Sequence, residues 1–120
     1  MKKFLGVLVL VFLMTFVLVG CAPSEDYATK INDAAKADDY LTYKQVKSHL
    51  GKPDEENVTQ SSLLGIKVTV STWYKGAKDA DDAQAKANKG KEVYSLTVTF
   101  NENDKATAAV WSKIESNESK

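Results

Sequence analysis

The pattern of hydrophobic and polar residues changes twice along the chain. Residues 4–19 form an apolar run that only Gly6 and Thr15 interrupt. Apolar residues then recur at helical spacing up to residue 50, and beyond residue 64 they alternate with polar ones. A period of about 3.6 residues is typical of an amphipathic helix, and a period of two is typical of a strand. The pattern therefore predicts an apolar leader, then helices, then strands.

Two helices are predicted in the first half of the chain. The first spans residues 27–37. The second begins with a capping box, in which Thr42 at the N-cap precedes Gln45 by three residues, and it stops before Gly51 and Pro53. The apolar positions of the two helices are Tyr27, Ile31, Val46 and Leu50.

Four strands are predicted after the helices. Gly65 separates a first strand, near residues 58–63, from a second, and a turn at residues 101–104 separates the third from the fourth. The alternation assigns one set of residues to the core side of the sheet: Leu64, Ile66, Val68, Val70, Thr72, Tyr74, Tyr94, Leu96, Val98, Phe100, Ala106, Ala108, Val110 and Ile114. The opposite, polar side receives Lys67, Thr69, Ser71, Trp73, Thr97, Trp111 and their neighbours in the same phase.

The segment Gly76–Lys91 lies between the second and third strands. It contains five alanines, three aspartates and four lysines. Asp79, Asp81 and Asp82 lie near one end and Lys86 and Lys89 near the other, which suits a helix dipole, but alanine offers little surface to bury. We expect a short, loosely docked helix. The whole order predicts the α+β class, with two N-terminal helices packed on one face of an antiparallel sheet of about four strands.

The leader ends at the only cysteine of the chain. Lys2 and Lys3 precede the apolar run, which is shorter than the roughly 20 residues that cross a bilayer as a helix. The tetrapeptide Leu18–Cys21 resembles the lipobox of bacterial lipoproteins, whose cysteine becomes the first mature residue and carries a diacylglyceryl group. An uncleaved anchor helix with an incidental cysteine is the alternative.

The lipobox resemblance implies a division of the chain and a location. Residues 1–20 are expected to be a signal peptide, 21–26 a tether, 27–116 the folded domain and 117–120 a polar tail. Cys21 is the expected lipidation site, and the membrane is therefore an expected partner. The protein is expected at the extracytoplasmic face of the cell membrane.

Composition excludes several classes of function. All 16 basic residues are lysines, 16 residues are acidic, and the formal net charge is zero. A chain without arginine lacks the guanidinium fork that reads phosphate and guanine, so we expect no nucleic-acid partner. A single cysteine forms no internal disulfide. A basic set made only of lysine also favours an AT-rich genome and hence a Gram-positive host.

Candidate catalytic and metal-binding residues are few. His49 is the only histidine, and it lies beside Val46 and Leu50 on the second helix, where a surface or core-rim role is expected. The run from Asp79 to Asp82 begins like a calcium loop. However, Gln84 and Gly90 stand where an EF-hand requires glycine and glutamate. We therefore expect no enzyme activity, no metal and no cofactor.

Three motifs resemble one protein family. The segment Leu41–Pro53 (LTYKQVKSHLGKP) resembles a helix shared by beta-lactamase-inhibitor-protein-like (BLIP-like) domains and SmpA/OmlA lipoproteins. Val70–Tyr74 (VSTWY) resembles one of their strands, and Leu96–Phe100 resembles part of their last hairpin, although Asp104 stands where that hairpin usually has glycine. The resemblance covers roughly residues 39–114. It implies a BLIP-like fold that binds proteins on its exposed sheet face or takes part in envelope assembly.

The polar side of the predicted sheet carries the candidate binding residues. Trp73 and Trp111 fall there with Lys67 and Thr97, and large aromatic residues are favoured anchors at protein interfaces. The alternative is that both indoles are buried. We expect a membrane-anchored, non-enzymatic module that binds a protein partner through this face. A phage superinfection-exclusion or bacteriocin-immunity lipoprotein, and an envelope assembly component, are the alternatives.

Overall fold

The computed structural model describes residues 22–117. Cys21, the expected signal peptide and the last three residues lie outside the described part. Within it, three helices and a four-stranded antiparallel sheet form an α+β domain, which confirms the predicted class. The elements in chain order are α1 (Glu25–Lys36), α2 (Tyr43–Leu50), β1 (Glu55–Ser61), β2 (Ile66–Lys75), α3 (Ala80–Asn88), β3 (Tyr94–Phe100) and β4 (Ala106–Lys113). Because α3 lies between β2 and β3, the helices are not all N-terminal.

Helix α1 begins earlier than the sequence pattern predicted. Ser24 is its N-cap, and its hydroxyl accepts a hydrogen bond from the Tyr27 backbone N–H at 3.1 Å. Glu25 and Asp26 occupy the first turn, where acidic side chains favour the helix dipole. Pro23 is already buried. The tether predicted over residues 21–26 is therefore wrong, because most of it belongs to the folded domain.

Helix α2 has the predicted boundaries. Both reciprocal hydrogen bonds of the capping box are present between Thr42 and Gln45. The helix ends at Gly51, whose φ of 85° is in the region that glycine tolerates best. The N–H of Tyr43, the first helical residue, donates to the Asp104 carbonyl at 2.7 Å, so the start of α2 lies at the β3–β4 turn.

The sheet order is β1-β2-β3-β4, and every neighbouring pair is antiparallel. Leu96 in β3 lies between Trp73 in β2 and Trp111 in β4, and Val98 pairs with Ser71 on one side and Ala109 on the other. Direct partners in a sheet point to the same face. These residues therefore share one face.

One core cluster joins both N-terminal helices to that face. Its members are Tyr27, Ala28 and Ile31 from α1, Val46 and Leu50 from α2, and Trp73, Leu96, Val98, Phe100, Ala106 and Ala109 from the strands. Side chains packed in this way contribute roughly 25 cal/mol per Å² of apolar surface removed from water. Burial of this face therefore stabilises the packing of α1 and α2 against the sheet.

The predicted facing of β2 is wrong. Thr69, Ser71 and Trp73 are buried, whereas the aliphatic residues Val68 and Val70 are half-exposed. The register with β3 explains the reversal, because Leu96, Val98 and Phe100 oppose the set that contains Trp73. Valine occurs readily in strands whether or not its face is covered, so its alternation does not identify the core side.

The predicted facing of β4 is correct only at its first residue. Phe100 pairs with Ala106 but Thr99 pairs with Ala108, which makes Thr107 an extra residue in a bulge. Such a bulge reverses which positions face the core. Ala109 is consequently buried and Val110 exposed, the opposite of the prediction.

Helix α3 is docked more firmly than expected. Asp79 caps it, accepting from the Asp82 N–H at 2.7 Å, and Ala83 and Ala87 are buried. Gln84 Nε2 donates to the Glu115 carbonyl at 2.8 Å. Small side chains let a helix approach its neighbours closely, and polar contacts add to the attachment.

Candidate functional site

Trp73 lies in the core and not on a surface. Its side chain is only 3% exposed, and its indole Nε1–H donates to the carbonyl oxygen of Gly51 at 3.0 Å. That hydrogen bond joins β2 to the end of α2. The prediction that Trp73 lies on an exposed face is wrong, because the strand register turns this residue toward the helices.

Trp111 is half-buried and belongs to the same side of the sheet. Its ring stacks on Tyr94, with 5.0 Å between centroids and 9° between planes. It also packs against the core cluster. The bulge at Thr107 turns Trp111 to this side. The two indoles thus share one face, as predicted, but that face is the one that α1 and α2 contact.

Lys67 and Thr97 do not complete a site with the tryptophans. Lys67 is exposed and lies on the same face of the sheet as Trp73, but near the opposite end of β2. Thr97 lies on the opposite face of the sheet from Trp73, and its hydroxyl oxygen lies 3.2 Å from that of Thr72. The four residues predicted as one surface therefore lie on both sides of the sheet.

The side of the sheet opposite the core cluster carries a different candidate surface, which we call the valine–threonine face. Its members are Val68, Val70 and Thr72 in β2, Thr97 and Thr99 in β3, and Val110 in β4. Val110 is 57% exposed, and the other five are half-exposed. Register places Thr97 directly between Thr72 and Val110, and Val70 beside Thr99. The sequence analysis assigned the members from β2 and β4 to the core side. Only in β3 did the alternation place the threonines on the side away from the core.

One end of the valine–threonine face is bounded by polar contacts to α3. Tyr74, which has the same alternation as Val70, donates its hydroxyl to Glu55 at 3.1 Å, and the Ala80 N–H donates to the same carboxylate oxygen at 3.0 Å. Burial and the hydrogen bond to Glu55 raise the pKa of Tyr74 to about 12. The tyrosine therefore stays neutral in neutral solution.

A similar pair lies on the other side of β1. Glu56 accepts from the hydroxyl of Tyr43 at 2.7 Å and from that of Ser71 at 2.9 Å. Burial and the hydrogen bond to Glu56 raise the pKa of Tyr43 to about 12. Both carboxylates of β1 are thus bonded within their own domain.

His49 contributes to the contact between α1 and α2. Its ring stacks on Tyr27, with 3.9 Å between centroids and 10° between planes. Burial, with a smaller effect from the charge of Lys30, lowers the pKa of His49. A shallow groove beside it is lined by Lys44, Gln45 and Ser48. Among residues 22–117, no three His, Cys, Asp or Glu side chains are grouped so that they could hold a metal ion.

The β1–β2 turn exposes two leucines, and the prediction that Leu64 lies on the core side of the sheet is wrong. Leu63 is 96% exposed and Leu64 is 73% exposed. Val58, in the middle of β1, is 56% exposed. The adjacent leucines before Gly65 were the available signal, because a turn normally carries polar residues.

Comparison with known proteins gives no match for this chain: no family model, no curated protein and no solved structure matches it. None of the helices between residues 22 and 117 is long and apolar enough to cross a membrane. The surfaces of the domain are therefore the observations from which a function can be proposed.

Proposed function

We propose that this protein is a lipoprotein, anchored through Cys21 at the extracytoplasmic face of the cell membrane, that binds another protein without catalysing a reaction. The valine–threonine face is the observation that carries the proposal. We further propose that the fold is BLIP-like, with α1 and α2 on one face of the sheet and the binding surface on the other, where α3 bounds one end.

The exposed chemistry of the valine–threonine face suits a protein partner. Valine methyl groups alternate with threonine hydroxyls across three adjacent strands, so the surface offers both apolar contact and hydrogen bonds. The six members are uncharged. Glu55 of β1, which pairs with Thr72, adds a carboxylate to this side of the sheet. That carboxylate accepts hydrogen bonds from Tyr74 and Ala80. A surface without cations has no electrostatic attraction for phosphate, whereas interface centres are typically depleted of charge.

The membrane anchor rests on the sequence. The positive start, the apolar run of residues 4–19 and the single cysteine after Gly20 form the pattern of a lipoprotein signal. Cys21 itself lies outside the described residues. An acyl chain contributes about 0.8 kcal/mol per buried methylene, so two or three chains hold a protein on a bilayer durably.

The binding surface can be tested by affinity capture from intact cells. Val110→Lys places a charge at the most exposed member of the face, and we expect it to reduce capture of the specific partner at least tenfold. Thr29→Lys, on the exposed surface of α1, is the matched control and should leave capture unchanged. Equal capture by wild type and Val110→Lys would reject the face as the binding site.

The anchor has its own test. We expect the wild-type chain to incorporate radioactive fatty acid and to sediment with membranes, because the thiol of Cys21 is the acceptor. Cys21→Ala should lose both properties. A Cys21→Ala protein that still takes up label would contradict the lipoprotein assignment while leaving the binding face untouched.

A further inference from the structure

The two edges of the sheet differ in how they are protected. The β4 edge is closed by Asn32 of α1, whose Nδ2 donates to the Ala109 carbonyl and whose Oδ1 accepts from the Ala109 N–H, both at 2.9 Å. The side-chain amide thereby occupies the backbone groups that another strand would use. The bulge at Thr107 distorts the same edge. Both are common protections against edge-to-edge pairing.

The β1 edge has no bulge, and its two charged residues lie together at one end of the strand. In the described part of the chain, β1 pairs only with β2, and its register is regular from Glu55 to Ser61. Its sequence, EENVTQS, contains no lysine and no proline. An unprotected edge strand presents a row of backbone N–H and C=O groups that can pair with another strand.

The acidic side chains of β1 lie at its first two positions, and the other five residues are uncharged. Glu55 and Glu56, its only charged residues, are hydrogen-bonded to Tyr74, Ala80, Tyr43 and Ser71 of their own domain. Val58 is its only aliphatic residue, is half-exposed, and stands at the midpoint of the seven-residue strand. Asn57 and Thr59 are its neighbours.

We propose that β1 pairs antiparallel with β1 of a second copy of this chain, in a register centred on Val58. This register overlaps all seven residues of the strand and places Val58 opposite Val58 of the second copy. Glu55 then lies opposite Ser61, and Glu56 opposite Gln60, of that copy. In a parallel pairing the acidic residues of the two strands would lie side by side, so charge favours the antiparallel arrangement.

The symmetry of this pairing has a structural consequence. A two-fold axis through an antiparallel pair of strands is perpendicular to the sheet, and it leaves corresponding faces of both copies on the same side. The result is a continuous eight-stranded sheet with both valine–threonine faces on one surface. The pairing itself does not depend on the function proposed above.

Cysteine crosslinking of the full-length chain in its own membranes tests the pairing. Residues directly opposite in an antiparallel pair have Cβ atoms about 4.5–5.5 Å apart, close to the separation in a disulfide. We expect Val58→Cys to form a disulfide-linked dimer under mild oxidation. Ser112→Cys, exposed on β4, and the wild-type chain with Cys21 alone should give no such band. If Val58→Cys gives no more dimer than Ser112→Cys, the proposal is wrong.

A charge substitution gives a second measurement. We expect the full-length protein in detergent to sediment as a dimer and Val58→Lys to sediment as a monomer, because two lysines would oppose each other. Thr29→Lys should remain dimeric, and circular dichroism should show all three proteins folded. A monomeric wild type would overturn the proposal, and so would crosslinking of Val58→Cys to a different protein in place of its own copy.

Discussion

Trp73 combines the largest side chain of the buried core with one specific hydrogen bond. The indole packs among Leu96, Leu50 and their neighbours, and its N–H satisfies the carbonyl at the end of α2. Because that carbonyl belongs to Gly51, where the chain leaves the helix, the tryptophan holds the α2–β1 connection against the sheet. Its role is therefore structural.

Replacing Trp73 should reduce stability without affecting binding. We expect Trp73→Phe to lower the free energy of unfolding by about 1–3 kcal/mol, because the Gly51 carbonyl loses its donor. Trp73→Ala should cost about 3–5 kcal/mol. Urea unfolding measures both. At temperatures where the Trp73→Phe variant is folded, it should be captured as well as wild type. Loss of capture would show that the indole takes part in binding.

Two tyrosines should make the domain sensitive to alkali. In the unfolded chain a tyrosine loses its proton near pH 10, whereas Tyr43 and Tyr74 have pKa values raised to about 12 in the fold. Between these values the folded state retains protons that the unfolded state has lost. The free energy of unfolding should therefore fall as the pH rises from about 10 to 12.

Tyrosinate absorbance can assign the two residues. Glu56→Gln should lower the pKa of Tyr43, because it removes the negative charge at the hydrogen-bond acceptor, and should leave Tyr74 unchanged. Glu55→Gln should have the converse effect. If neither variant shifts a late-titrating tyrosine, the two carboxylates do not cause the elevation.

At the scale of elements, α1 protects the edge of β4. We expect Asn32→Ala to lower the free energy of unfolding by about 1–3 kcal/mol, because the N–H and C=O of Ala109 lose their partner. Asp33→Ala, at an exposed neighbouring position, is the matched control and should cost little. Thermal or urea unfolding compares the two, and equal stability would show that water replaces the amide.

The elements themselves could largely be predicted from the sequence, because their signals are local. The capping box at Thr42 and the glycine stop at residue 51 act within one helix, and both are present as predicted. Which residues of β2 and β4 face the core could not be predicted, because it depends on how these strands pair with β3. The bulge at Thr107 exists only where β3 and β4 meet, and no pattern within β4 specifies it.

The candidate site was harder to predict for the same reason. Thr97 lies on the half-exposed face, as predicted, but Trp73 and Trp111 lie on the other. Their assignment required knowing that both pair directly with Leu96, because direct partners lie on the same face of the sheet. Tryptophan is common both at protein interfaces and in cores, so its presence in a strand does not show which of the two it occupies. The strand register shows which face of the sheet it lies on.

At the scale of the whole molecule, the first residues of the domain and the exposed leucines lie at opposite ends. Tyr27 near the start of α1 stacks on His49 near the end of α2, and α2 ends beside Trp73. The β1–β2 turn with Leu64 lies at the end where β2 begins. An anchor at Cys21 would therefore leave this turn remote from its attachment point.

Fluorescence quenching in membranes can measure the orientation that the proposed anchor would impose. We expect a fluorophore at Thr29→Cys to be quenched more strongly by headgroup-level quenchers than one at Leu64→Cys, because Thr29 lies near the start of α1. The labelled wild-type chain gives the background from Cys21. Stronger quenching at Leu64→Cys would mean that the leucine turn contacts the bilayer.

Under the proposed anchoring at Cys21, the burial of Pro23 would set how the domain encounters other molecules. Only Ala22 separates Cys21 from Pro23, the first buried residue in the described part of the chain, and two residues of extended chain span about 7 Å. A domain on so short a connection could rotate at the membrane surface but could not move far from it. The proposed anchor would thus confine its search for a partner to two dimensions, among molecules that lie in, or reach, the layer next to the membrane.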